Sequence, residues 1–484
     1  MTPPMVGIDE FVCRLPRGIG RVHNAQLELS EPFIDTVGRF ADEPGTIALL
    51  SGGMLDSARY HILGLRPWLS IRERGGNVVA DFPGGSVSAE LDPFAVLEAL
   101  VKRYGLPGPE ETLPLSAGLL GYLAYDLKDC LEVLPRTSCG DLKLPRLYMV
   151  APSILLVHDR REERTTVHIP VLDDDEAGAR QRLARFKQEL ARPDRPVRSA
   201  NARVGQLMSG LSREEYMAAV DAIRDYIVRG HVYQVNMSQR FEGEFRGDAF
   251  ALFASMYEAN PAPFFAFVQA GDHQILSTSP ERFIELRGKR VETRPIKGTR
   301  PRGKTAEQDQ SLRRELKNSV KDDAELSMIV DLLRNDIGKV CAAGSVHVGE
   351  HKRVEAYENV YHLVSVVRGA LDDDKNAVDL IRATFPGGSI TGCPKIRSME
   401  IIDELEPVRR HIYTGAIGYL GFRGTMDLSI AIRTATVVDG RVFFSVGSGV
   451  VFDSKASDEF EETLHKGRTL IRALAGSLMM ATPS

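Results

Sequence analysis

Cysteine is scarce in this chain: five in 484 residues, at Cys13, Cys130, Cys139, Cys341 and Cys393, with no C-x-x-C pair among them. An odd, scattered set argues against a disulfide framework or a zinc knuckle and fits a reducing compartment. A basic excess is missing too. Lys and Arg total 61 against 66 Asp and Glu, a net charge of −5, which implies no long anionic partner and argues against a nucleic-acid binder. No apolar run approaches a membrane span. The opening MTPPMVGIDEF lacks a basic stretch followed by an apolar one, so no signal peptide is expected and the protein is read as cytoplasmic. There is no internal repeat. The Gly-rich FPGGSITGCPK, 385–395, lacks the Gly-Lys-Ser/Thr ending of a P-loop.

What is present is an ordinary globular composition, long enough for roughly two to four domains. The clearest break is LARPDRPVRSANARVG, 190–205, rich in Pro, Arg and Ala and without apolar periodicity. It reads as an exposed linker between an N-terminal region, 1–190, and a second region, 206–476. Before it lie strand-like runs, TIALLSG, PSILLVHD and RTTVHIPVL. After it, Tyr216, Ala219, Val220, Ile223 and Ile227 keep helical spacing behind a Ser212 N-cap, and Gly230 ends the helix. Leu326, Ile329, Val330, Leu333 and Ile337 mark a second amphipathic helix. HLVSVVRGAL reads as a strand, and 426–451 as two alternating runs joined by Asp439-Gly440. SDEFEETLHKGRTLIRALAG closes the chain as a helix. Strands with helices set apart predict an α+β fold, largely antiparallel.

Several constellations could carry chemistry. A two-residue turn at Asp439-Gly440 pairs 433 with 446, which sets Arg433 beside Gly447-Ser448-Gly449. A guanidinium near bare backbone amides outlines a carboxylate site, although a surface arginine explains the pattern as well. Glu325 borders the apolar face of its helix; Glu459, Glu462 and Lys466 form a stripe on the last one. Helix-dipole preference and a Glu462–Lys466 ion pair account for that stripe; convergence of Glu325 and Glu462 on one Mg²⁺ is the functional alternative. His362 shares a strand face with Val364 and Val366 and is equally a satisfied core histidine. Thr391 sits in the Gly-rich loop as a possible ligand contact. Lys297, within ETRPIKGTRPRG, 292–303, is by itself a solvated loop lysine.

Taken together, YQVNMSQRF, SPERF, RPIKGTRPRG, AELSMIVDLLRND, ENVYHLVS, FPGGSITGCPK, YTGAIGYLG, IAIRT, GSGVV and DEFEETLHK resemble, in this order, the motifs of the chorismate-utilising enzymes. GLLGYLAYDL, 118–127, is similar to the glutamine-dependent branch. The resemblance implies a large α/β sandwich with two extensive antiparallel sheets, helices outside, and N-terminal residues contributing to both layers. It implies Mg²⁺ on Glu325 and Glu462, bridging to the ring carboxylate of chorismate. Gly298, Thr299, Tyr413, Arg433, Gly447, Ser448, Gly449 and Lys466 would hold the substrate's carboxylates, with Thr391 added from its loop. His362 would stand by the reacting ring, and Glu281 would be the acid that assists departure of the C4 hydroxyl.

Two positions divide that family. Members that add water carry lysine at the place of Gln234; amine-adding members carry glutamine, which is no general base. Members that form anthranilate read PIAGT where this chain reads PIKGT, as those aminating C4 do. The resemblance therefore implies that Lys297 faces C2 of the ring, as a nucleophile in a double displacement or as a steric or electrostatic block. The product would be 4-amino-4-deoxychorismate, on the way to 4-aminobenzoate and folate. C2 amination to anthranilate and a catalytically inactive regulatory subunit are the alternatives. None of the cysteines sits in a G-x-C-x-G elbow, so the ammonia is expected from a separate glutaminase subunit. The tryptophan-binding LLES element of some members is LLSGG here, 49–53, which weakens the expectation of tryptophan inhibition.

Overall fold

The computed structural model describes residues 7–107, 113–192, 198 and 202–475. Its strands are ordered by alternation, and the strand Gln234–Arg246 shows how. Val235 and Met237 enter a core with Tyr216, Val220 and Ile223 of the helix Arg213–Val228. Gln234, Asn236 and Ser238 take the opposite face. That helix starts as expected. The Ser212 hydroxyl accepts from the Glu215 amide, and the Glu215 carboxylate accepts from the Ser212 amide. Burial of Tyr216, Val220 and Ile223 holds it down, at about 1.5–3 kcal/mol for each large apolar side chain. Gly230, at φ +77°, turns the chain out of it.

Among the described residues every strand ladder is antiparallel, and the ladders join into a continuous network of 23 strands. The two halves of the sequence interleave. Ile47–Leu50 pairs with Phe264–Gln269, and Gly118–Leu123 with Ala416–Gly421. The expected α+β, antiparallel architecture is present. Of the expected linker, residues 193–197 and 199–201 lie outside the described residues. Arg198 is not free: it donates to the Gly38 carbonyl and pairs with Asp42 and Asp248, clasping both halves. All five cysteines are unbridged. Among the described residues no helix is long and apolar enough to cross a membrane.

The Asp439-Gly440 turn pairs Val438 with Arg441, as expected, and the ladder runs back to Ala435 opposite Phe444. It stops there. The expected continuous run is two strands, Met426–Ile430 and Thr434–Val438, and Arg433 between them has φ +50°. The cause is a change of partner. Met426–Ile430 pairs with Arg282–Arg287, whereas Thr434–Val438 pairs with His273–Ser279. The Thr278 amide and hydroxyl, each 3.1 Å away, donate to the Arg433 carbonyl and fix the crossing. The expected pairing of 433 with 446 is therefore absent.

One buried cation ties the site's walls together. Arg410, whose side chain is 2 % exposed, forms a double contact with Glu406 at 2.7 and 2.8 Å. It also donates to the carbonyls of Ile390 and Asn236 at 2.9 and 2.7 Å and lies over the rings of Tyr125 and Tyr413. Removing it leaves the Glu406 charge buried without its cation, held only by the Ser238 amide and hydroxyl, and unpairs two carbonyls. Arg410→Ala is expected to cost about 3–5 kcal/mol in urea unfolding; a loss below about 1 kcal/mol would contradict this role.

Candidate active site

The strand Ile296–Pro301 lies against Val360–Ala370 with one residue too many: Lys297 is opposite Leu363 and Thr299 is opposite His362. Gly298 is the extra residue, at φ +65°. A β-carbon there would also lie 2.8 Å from Leu316 Cδ1 and 2.9 Å from Asp322 Cγ, so glycine is required twice over. The bulge turns Lys297 toward the site, where it is half-buried. Its Nζ would lie 3.5 Å from a β-carbon built on Gly449, across the site. Among the described residues it forms no ion pair; Glu325, Glu281 and Glu462 act on it from farther off. Burial pushes the amine's pKa down, Lys466 adds to that, and the three carboxylates pull it back up. Burial prevails, and the pKa is lowered.

Glu281 is 6 % exposed and accepts from the Ser389 hydroxyl at 2.6 Å. Burial drives its carboxyl up to about 7, against the opposing pull of Ser389, Lys297, the Ile296 amide and Arg433. It is poised to hold or release a proton near neutrality. Burial, together with the cations Arg433 and Lys466, holds His362 down to about 3, so its ring is neutral. His362 Nδ1 faces the Gly298 carbonyl at 3.4 Å and the Thr299 hydroxyl at 3.0 Å. The Thr299 hydroxyl can donate or accept, so Nδ1 is satisfied in either neutral tautomer. Nε2 is buried without a partner. The Tyr357 ring packs edge-on against the imidazole, with centroids 4.9 Å apart.

Glu325 and Glu462 converge electrostatically. Burial raises the Glu325 carboxyl, Lys297 and Lys321 oppose this, and the Glu462 charge raises it further. Glu462 is pushed up by burial but held below its usual range by Lys466 and then Lys297. The Glu462–Lys466 ion pair, 2.7 Å, is present as the helix spacing suggested. The two side chains are 49 % and 46 % exposed, so the site opens to solvent on this side and screening tempers the pair. Among the described residues no group of three His, Cys, Asp or Glu is set to hold a metal. Two mutually repelling carboxylates at an open mouth do fit Mg²⁺, which is held by one or two carboxylates plus water and substrate oxygens.

The other expected contacts divide. Burial lowers the Arg433 guanidinium, which Tyr357 and Glu281 partly offset; it makes no hydrogen bond to another described residue. It reaches the site from the strand crossing, not from the ladder. Lys466 donates to the Gly447 carbonyl at 3.2 Å. The Tyr413 hydroxyl would lie 2.9 Å from a β-carbon on Gly447. Ser448 pairs with Met237, and its hydroxyl lies 3.4 Å from that of Tyr216, on the core side. The Thr391 hydroxyl donates to the Gly387 carbonyl at 3.0 Å and is fully buried. For both, the backbone alone is left to face a ligand.

Two side chains were not singled out as contacts from the sequence. Gln234 Oε1 and Asn236 Oδ1 are both buried without partners. They lie over the glycines: β-carbons on Gly449 and Gly447 would fall 2.2 Å from Gln234 Nε2 and 2.6 Å from Asn236 Oδ1. The signal was the alternation in YQVNMSQ, a polar face opposite a core face. A separate cavity of about 280 Å³ lies away from this constellation; Leu49, Leu50 and Ser51 of LLSGG line it, with Arg294, Phe264 and Tyr419.

The raised Glu281 carboxyl has a testable sign. Below pH 4.5 the group is protonated in folded and unfolded chains alike. Between there and pH 7 the unfolded chain loses the proton first, so stability falls as pH rises, by about 3 kcal/mol in all. Glu281→Gln is expected to melt above the unsubstituted protein at pH 8 and to lose that advantage near pH 4.5. An equal advantage at both pH values, or none at pH 8, would contradict the placement.

The sequence profile of the chorismate binding enzymes matches residues 73–472. Aminodeoxychorismate synthase component 1 of Klebsiella aerogenes is 41% identical over 432 residues, 88% of this chain and 93% of that protein. Anthranilate synthase component 1 of Cereibacter sphaeroides is 37% identical over 474 residues, 95% and 93% of the two chains. Among solved structures, anthranilate synthase component I from Streptococcus pneumoniae TIGR4 superposes with a TM-score of 0.78 at 30% identity, covering 87% of this chain and 94% of that one. With a match over most of its length and a site built from the residues those motifs supply, this chain belongs to the chorismate binding enzymes.

Proposed function

We propose that this protein aminates chorismate at C4, giving 4-amino-4-deoxychorismate for 4-aminobenzoate and folate synthesis, with ammonia from a separate glutaminase subunit. Identity does not separate this reading from amination at C2, because relatives named for both reactions are about equally similar. The observation that carries it is Lys297: an amine inside the site, free of ion pairs to described residues, and lowered in pKa. An alanine there would leave C2 open to ammonia.

The chemistry follows from the groups around it. Neutral Lys297 Nζ attacks C2 with its lone pair. The diene electrons shift, the C4–O bond breaks, and the Glu281 proton leaves with the hydroxyl as water. Lys297 is then a secondary ammonium and Glu281 a carboxylate. Ammonia attacks C4 and the diene shifts back. The C2–Nζ bond breaks with its electrons returning to Lys297, and a proton from the new C4 ammonium restores Glu281. Two displacements retain the geometry at C4. His362, held neutral, presents its unpartnered Nε2 beside the ring. Arg433, Lys466 and the backbone of Gly447–Gly449 are placed for the substrate's carboxylates. Glu325 and Glu462 would hold Mg²⁺, which supplies positive charge for the ring carboxylate.

Incubation with chorismate, Mg²⁺ and ammonium salt tests this. The expected product is non-fluorescent and has the mass of chorismate with NH in place of O; Lys297→Ala lowers its formation at least about 100-fold. Fluorescent anthranilate from the unsubstituted protein would show amination at C2 instead. No product at all, with an effect only on a partner's activity, would mark a regulatory subunit.

A further inference from the structure

In the Gly-rich loop FPGGSITGCPK the Thr391 hydroxyl turns back onto its own backbone, but the hydroxyl two residues earlier does not. Ser389 is 9 % exposed, and its hydroxyl makes one hydrogen bond among the described residues, to Glu281 Oε1 at 2.6 Å. The turn that carries it, Gly388–Ile390, is held from both sides. Arg410 donates to the Ile390 carbonyl at 2.9 Å, and Thr391 donates to the Gly387 carbonyl at 3.0 Å. A β-carbon on Gly387 would lie 2.6 Å from Ile430 Cδ1, and the Ile430 amide donates to the Glu281 carbonyl at 3.0 Å. Hydroxyl and carboxyl are thus both held against the end of the strand Met426–Ile430, and the fold sets the distance between them.

A serine hydroxyl has one hydrogen to give. Given to Oε1, it makes that oxygen an acceptor and leaves Oε2 to carry the Glu281 proton. A proton on Oε1 would instead be taken up by Ser389 and kept from any leaving group. The same bond favours the ionised carboxyl, because a hydrogen bond to a charged acceptor is roughly twice as strong as one to a neutral acceptor. Burial raises Glu281, and of the groups that oppose it Ser389 does so most, ahead of Lys297, the Ile296 amide and Arg433. Two of those are engaged elsewhere during the reaction. Lys297 is neutral when it attacks, and Arg433 is placed for a substrate carboxylate. Ser389 has no such second duty, so its pull on Oε1 persists with substrate bound.

We propose that Ser389 is the positioning residue of the acid: its hydroxyl donates to Glu281 Oε1, holds the proton on Oε2, and stabilises the carboxylate that forms as that proton leaves with the C4 hydroxyl. The assignment rests on the amination reading above, which makes Glu281 the acid. In the step itself the Oε2–H bond breaks, the C4–O bond breaks, and the proton and hydroxyl leave as water. Ser389 keeps its own hydrogen throughout. Its bond to Oε1 strengthens as negative charge develops there, so it favours the transition state over the bound reactants.

The test compares the full chain with Ser389→Ala by two readouts. The first needs no turnover: the infrared C=O band of the Glu281 carboxyl is titrated in substrate-free protein, with Glu281→Gln identifying the band. The expected midpoint is about 7 in the unsubstituted protein and at least about one pH unit higher in Ser389→Ala, because a donor to the ionised form is lost. The second is the initial rate of amination at pH 6, where both proteins hold the proton, with Mg²⁺ and equal ammonium salt. The expected result is a fall of about fivefold or more in kcat, with the chorismate Kd, titrated without ammonium, within about threefold. That preserved Kd also shows that the variant's site is folded. A midpoint that stays in place would overturn the assignment even if the rate falls, since the loss would then be structural only. An unchanged kcat would overturn it too, and so would a parallel loss of chorismate binding. If the unsubstituted protein aminates and only Ser389→Ala behaves unexpectedly, this inference alone fails. If the unsubstituted protein does not aminate chorismate, the amination reading fails and takes this one with it.

Discussion

Desolvation of one amine is the condition on which the site depends. A lysine in water is an ammonium ion and no nucleophile. Here the Gly298 bulge turns Lys297 toward the site, where it is half-buried, and the partial loss of water around the amine lowers its pKa. The same burial acts in the opposite sense on Glu281, raising a carboxyl to the point where it can still hold a proton near pH 7. Burial thus shifts the amine and the carboxyl of one site in opposite senses, the first down and the second up. Neither could be had from the bare residues.

Carboxylates set the limit on that arrangement. Glu325, Glu281 and Glu462 all pull the amine back toward its charged form. They are kept beyond ion-pairing distance, and Glu462 is engaged by Lys466. A cation between Glu325 and Glu462 would weaken their pull further, so the metal that resemblance implies and the neutral amine that the chemistry needs favour one another. The walls that keep these groups apart are fixed by Arg410, which binds the backbone of Asn236 and Ile390 from behind.

Much of this was legible in the sequence, for local reasons. The Ser212 cap, the apolar stripe from Leu326 to Ile337 and the Asp439-Gly440 turn each declare themselves within a few residues, and each is found. Arg433 shows where local reading ends. Its alternating neighbours suggest an unbroken strand, but the chain changes partners there, and partner choice is a property of the whole sheet. The bulge at Gly298 is of the same kind: nothing in PIKGT states which strand will lie opposite. Gly447 and Gly449 suggested bare backbone for a ligand; in the fold they chiefly make room for the amides of Asn236 and Gln234. The resemblance implies that Lys297 faces the ring, but the sign of its pKa shift needs the surrounding charges in three dimensions.

The central claim is that Lys297 bonds to the substrate ring. The most direct measurement is intact-protein mass spectrometry of the unsubstituted chain with chorismate and Mg²⁺ in the absence of ammonia, followed by peptide mapping. The account predicts a mass increase equal to chorismate less one water, located on Lys297. An adduct on any other residue, or none under conditions where added ammonia gives product, would contradict it.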